Sequence, residues 1–188
     1  MSFQTKTRYD LVSQVFHWLT AIAVLVAFIL GPGGFGRLMR NGVDPATRLD
    51  IVWHESLGVA VFVLTLLRLL WVLVRPAAPR FNMATWMTLA SKGAHGLLWL
   101  LLLITPMTAF LALGTESHPV TLLGGIRIDE LPWIKALPIA DSADWGDVHG
   151  FMGDAIIWLA GLHAVAAIYH HVMLKDGVLK SMLPGGKR

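Results

Sequence analysis

The side chains best able to do chemistry are eight histidines, set in a chain of 188 residues that is 55% apolar and only 14% charged. Imidazole is the commonest metal ligand among side chains and titrates near neutrality. His17, His54, His95, His149, His163, His170 and His171 lie in or at the ends of apolar runs, whereas His118 sits beside Pro119 and reads as a loop residue. Ionisable groups inside such runs are costly and usually functional. The chain has no cysteine, which excludes disulfides, thiolate zinc sites, iron–sulfur clusters and covalent haem attachment through Cys-x-x-Cys-His.

Spacing narrows the chemistry. His149 and His163 are 14 residues apart, just under four helical turns, so both project from nearly one face about 21 Å apart. Two ligands at two heights suit two metal centres, not one cluster. Zinc asks for four ligands in one tetrahedron. Two histidines from opposite sides suit the axial positions of a haem iron. Interhelical hydrogen bonding is the competing reading for any single histidine.

Four runs are long enough to hold these residues in a bilayer: about 11–30, 51–74, 93–113 and 148–174, the third carrying Pro106 as an expected kink. Each reaches the roughly 20 residues that span a hydrocarbon core. Helices are the choice that leaves no backbone group unpaired in lipid. The predicted fold is therefore an all-α integral membrane four-helix bundle, a single transmembrane domain over 1–188. No cleavable signal peptide is expected, because the first run is too long and carries Gln14 and His17.

Basic residues set the expected orientation. With the N-terminus cytoplasmic, the inner side holds Lys6, Arg8, Arg75, Arg80, Lys92, Lys175, Lys180, Lys187 and Arg188, against Arg37, Arg40, Arg48, Arg127 and Lys135 outside. Both termini are thus predicted cytoplasmic. The outer connection, about 114–147, contains Leu131, Trp133, Ile134 and Leu137 and reads either as an amphipathic surface piece or as a loop with interfacial tryptophan anchors.

This orientation sorts the histidines by depth: His17 with His163 in the inner half, His54 with His149 in the outer. His170 shares nearly the face of His163 but lies close to Lys175. It reads as an interfacial group touching a haem propionate or a quinone, or as a snorkelling side chain. His95 has no evident partner and stands as a substitute ligand. Arg68 falls 14 residues after His54, suited to grip a propionate of the inner haem or to snorkel inward. Gln14 and Asp154 are candidates to support the ligands. Gly58 and Gly153 lie one turn beyond His54 and His149, where they would let a flat macrocycle approach or serve helix–helix contact.

These stretches resemble the prokaryotic cytochrome b561 family. The matching residues are Gln14-Val15-Phe16-His17-Trp18, His54-Glu55-Ser56-Leu57-Gly58, Arg68-Leu69-Leu70-Trp71 and His95-Gly96-Leu97-Leu98 with Pro106. His149-Gly150-Phe151-Met152-Gly153, Leu162-His163, His170-His171, Lys175-Asp176 and Met182-Leu183-Pro184 complete the order along the whole chain. Ala109, where glycine is expected after the proline, is a small departure. The resemblance implies two haem b groups ligated by His17, His54, His149 and His163. It implies a quinone-linked oxidoreductase of the bacterial inner membrane, with ubiquinone as acceptor and a periplasmic donor, either superoxide or a protein.

Some similar proteins are superoxide oxidases; others are haem subunits that dock a dehydrogenase or hydrogenase. No nucleic-acid partner is expected. A superoxide donor favours a positive rim, yet the outer segments carry eight acids (Asp44, Asp50, Glu116, Asp129, Glu130, Asp141, Asp144 and Asp147) against five basic residues. A metal or proton transporter is the competing class, and it needs a continuous polar path.

Overall fold

A computed structural model describes residues 7–129 and 131–185. Lys6, Lys187 and Arg188 from the orientation count, and Glu130, lie outside the described residues. Among the described residues, four helices are long and apolar enough to cross a membrane: α1 (Leu11–Leu30), α3 (Leu49–Val74), α4 (Thr85–Thr115), and α6 (Trp145–Tyr169) prolonged by a π turn to Leu174. Three bounds match the predicted spans within a few residues. The third helix starts eight residues early, at Thr85, because no breaker stands between Thr85 and Lys92. Pro106 lies buried inside α4 without ending it.

The bundle is two tight pairs. α1 packs along α3 and α4 along α6; α3 joins the pairs through α4, while α1 and α6 scarcely touch. The buried apolar cluster is small, comprising Ala23, Val61 and Leu102 with Val24 and Leu57 against it. Val61 and Leu102 each fall seven residues beyond a histidine, His54 and His95. Ile156, the buried residue of α6, is seven residues from both His149 and His163. The apolar layer therefore sits between the two histidine heights.

The two ends of the bundle close differently. At one end the chain forms a short helix α2 (Phe35–Arg40), a hairpin of β1 (Val120–Leu122) and β2 (Ile126–Ile128), and a single turn α5 (Pro132–Lys135). The strands pair antiparallel, Val120 with Ile128 and Leu122 with Ile126. Their loop uses Gly124 at φ 81° and Gly125 at φ 77°, a left-handed backbone that glycine adopts without a Cβ penalty. The 114–147 connection is thus a hairpin followed by a single α-helical turn. Ile134 is its anchor, 1% exposed, and seated on Gly114 so closely that a Cβ there would come within 2.6 Å of it. Trp133 stays exposed.

At the other end, the terminal end, where Tyr9 N donates to Ser181 O, α7 (Val178–Met182) closes the gap between α1 and α6. Arg8 donates to the carbonyls of Lys180 and Leu183. The Trp18 indole donates to Met182 O at 2.8 Å. Gln14, expected beside a metal ligand, instead donates its amide to Tyr9 O and Ser181 O. A buried amide must find acceptors, and the chain's own C-terminal turn supplies them.

Candidate functional site

The four helices bring the histidines to two heights. At the hairpin end, the His54 and His149 rings face each other with centroids 5.9 Å apart and planes at 89°. At the terminal end, His17 and His163 stand 6.2 Å apart with planes at 68°.

The hairpin-end pair is held by backbone. His54 Nδ1 lies 2.8 Å from Ala27 O on α1, and His149 Nδ1 lies 3.0 Å from Thr105 O on α4. A carbonyl only accepts, so Nδ1 carries the proton in both rings. Nε2 is left as the lone-pair nitrogen, the form in which imidazole binds a metal. Thr105, just before Pro106, has its carbonyl shared with the Thr108 hydroxyl at 2.7 Å. Gly31 makes room for the His54 ring: a Cβ there would meet Cε1 and Nδ1 at 3.3 Å.

The hairpin is fastened to the residues that follow His54, a contact that residue spacing did not anticipate. Glu55 Oε2 accepts from Thr121 N at 2.5 Å and from the Thr121 hydroxyl at 3.0 Å. Leu123 N donates to Ser56 Oγ at 2.8 Å. The Gly124-Gly125 dipeptide between two short β-branched runs was the sequence signal for this hairpin.

The terminal-end cluster has more members. His95 lies 5.1 Å from His163, closer than His17 does, so the histidine without an expected partner joins this group. Its Nδ1 is 3.3 Å from Ser91 Oγ. The Arg68 guanidinium lies over the Trp99 ring at 4.7 Å, within electrostatic range of His17, His95 and His163. Among the described residues no carboxylate pairs with Arg68. His170 is half-buried and paired with the Asp176 carboxylate. Hydrogen bonds from His170 and from Val178 N hold that carboxyl below its ordinary range, against the opposing and larger single effect of burial.

Two supporting assignments change. Gln14 serves the terminal closure, as described above. Asp154 is nine residues before His163, two and a half turns, and so points to the opposite face of α6; it is exposed. The residue numbers alone contained that result. His118 is a half-buried loop residue with its ring against Phe35 and Nδ1 3.2 Å from Glu116. Burial pushes its pKa down, ahead of the opposing pull of Glu116.

Membrane helices that present facing imidazoles at two heights define a class, the intramembrane haem proteins. The family model for prokaryotic cytochrome b561 matches residues 8–185, and the chain belongs to that family of membrane haem proteins. It is similar to "Cytochrome b561 homolog 2" of Escherichia coli (strain K12), 30% identical over 97% of this chain and 95% of the relative. It is 27% identical to "Probable superoxide oxidase CybB" of Yersinia pestis, over 94% of this chain and 96% of the relative. "Cytochrome b562" of Cereibacter sphaeroides is 31% identical over 89% of each chain.

Proposed function

We propose that the protein is a di-haem b cytochrome that passes electrons across the bacterial inner membrane to the quinone pool, with both termini cytoplasmic. His54 and His149 hold one haem, and His17 and His163 the other. The observation that carries this reading is the pair of ring separations, 5.9 and 6.2 Å. With metal–nitrogen bonds of about 2 Å and about 1.2 Å from each nitrogen to its ring centre, two imidazoles opposed on one iron stand about 6.4 Å apart. The His95–His163 separation of 5.1 Å fits that arrangement less well.

Three further features support a porphyrin. Two facing histidines leave the other positions of a metal open, and a porphyrin would supply them. A Cβ at Gly58 or Gly153 would meet no atom within 4 Å, so packing within this chain does not require glycine there, whereas a flat group lying on the backbone would. Arg68, without a carboxylate partner among the described residues, suits a propionate. Haem b supplies a reversible one-electron couple. The chain's own residues hold it, fix imidazole tautomers through Ala27 O and Thr105 O, and place a cation beside the terminal-end site. His170, paired with Asp176, is our candidate to meet ubiquinone or a haem propionate at the cytoplasmic end.

The donor is a periplasmic reductant. Superoxide is supported by the similarity to the probable superoxide oxidase CybB of Yersinia pestis. A docked protein is supported by the excess of acids over basic residues at the hairpin end, where two of the five basic residues are neutralised, whereas a local patch at Arg37 and Arg40, which carry no ion pair among the described residues, favours an anion. Arg127 is tied to Asp44 and Asp129, and Arg48 to Asp50. Anion steering needs an unneutralised rim.

Purified protein is expected to show sharp b-type bands on dithionite reduction and about two haems per chain by pyridine haemochrome. A colourless protein would favour a transporter instead. Ubiquinone reduction driven by superoxide in the isolated protein separates a superoxide oxidase from a subunit that needs a docked partner.

A further inference from the structure

Asp154 is an ionisable residue on the wrong side of its helix. It lies nine residues into α6, about 14 Å from the end of that helix, and faces away from both histidines. Acids within spans almost always face the bundle interior or a partner. Its side chain is too short to reach the surface as a lysine does. Its neighbours on that face are apolar and exposed: Phe151, Leu162, Val165 and Ile168.

One turn along the same face stands Trp158, 77% exposed. Tryptophan normally anchors at the membrane interface, but Trp158 is thirteen residues into α6 and sixteen before Leu174. Neither the Asp154 carboxyl nor the Trp158 indole N–H has a hydrogen-bond partner among the described residues; the tryptophans that do are Trp18, Trp71 and Trp145. Gly150 and Gly161 lie on this face too, and a Cβ at either would meet nothing within 4 Å. Packing within this chain does not call for these glycines, whereas close approach of another helix would.

We propose that this face of α6 pairs with α6 of a second copy of the chain, the Asp154 carboxyl of each accepting a hydrogen bond from the Trp158 indole of the other. Copies inserted the same way relate by a two-fold axis along the membrane normal, which sets equal depths side by side. An acceptor and a donor one turn apart are then self-complementary. Helical side chains lean toward the N-terminus, which carries the Trp158 indole toward the height of Asp154. The pairing uses the face opposite His163, so it leaves the histidine sites untouched.

The absence of cysteine makes the test direct. Val165→Cys and Ile168→Cys put thiols on the face, and Leu70→Cys puts one on an exposed face of α3. On oxidation in native membranes, the first two are expected to give a product of twice the chain mass and the third is not. Adding Asp154→Leu to Val165→Cys is expected to cut that product at least fivefold. Asp154→Asn, which keeps an acceptor, retains it, and the absorption spectrum stays unchanged throughout as a check on folding. Equal cross-linking at Leu70→Cys, no product, a product of another mass, or indifference to Asp154→Leu would each overturn the pairing.

Discussion

The two histidine pairs share helix α6, which supplies one member of each, yet are held by different physics. At the hairpin end, neutral backbone carbonyls fix each ring, a glycine clears space for one of them, and Glu55 and Ser56 fasten the hairpin beside it. At the terminal end, neither His17 nor His163 has a hydrogen bond to its ring among the described residues; the neighbourhood is instead a third histidine and an arginine stacked on Trp99. The first site is fixed by geometry, and the second stands beside a single cation, Arg68. On the di-haem reading proposed above, the two haems would be tuned apart without a change of ligands, since hydrogen bonding and nearby charge both set potential.

The sharpest way to break the comparison is to remove ligands. His54→Ala and His149→Ala are each expected to lower haem content from two per chain to one, and the double variant to lose no more than either single. Residues that act on one site are non-additive. His17→Ala and His163→Ala should lose the other haem in the same way. Pyridine haemochrome on purified variants reads the result, and a double variant of His54 and His149 that loses both haems would dissolve the pairing.

Charge comes next. Arg68→Gln is expected to keep both haems and to lower the midpoint potential of the terminal-end haem alone, because a cation favours the reduced form. A shift on the order of 59 mV corresponds to a tenfold change in a one-electron equilibrium. Potentiometric titration would show it, and an equal shift of both haems would mean that the two ends are not electrostatically distinct.

Geometry should respond more gently. Gly31→Ala sets a methyl 3.3 Å from the His54 ring, an overpacking that costs about 1 kcal/mol. It should alter the low-spin resonance of the hairpin-end haem and leave the other unchanged.

The smallest expected effect lies in the terminal closure. Asp10 caps α1 by accepting from Ser13 N at 2.9 Å and also receives the Trp71 indole at 3.0 Å. Burial pulls its pKa up, but the bonds from Ser13 and Trp71 outweigh it and leave the carboxyl below 3.8. Its contribution is thus complete above that value and lost as pH falls through the lowered one. Asp10→Ala should cost about 1 kcal/mol at neutral pH. The difference in melting temperature between the two proteins should vanish in strong acid.

The spans and the two heights at which the histidines face one another were legible in the sequence because both follow from the 3.6-residue period and the length of apolar runs. Three features were not read. The closure of α7 on α1 depends on Arg8, Gln14 and Trp18 meeting carbonyls more than 160 residues away, and no local pattern records that. His95 carries no 14-residue echo, so its place beside His163 came only with the packing of α4 on α6. The hairpin was announced by Gly124-Gly125 and masked by the apolar residues around it.

Low-temperature electron paramagnetic resonance of the oxidised protein tests the central claim most directly. Crossed imidazole planes, here 89° and 68°, give strongly anisotropic low-spin ferric signals. Two such signals are expected, with His163→Ala abolishing one and leaving the other intact. A single signal, or two that survive His163→Ala, would contradict the account.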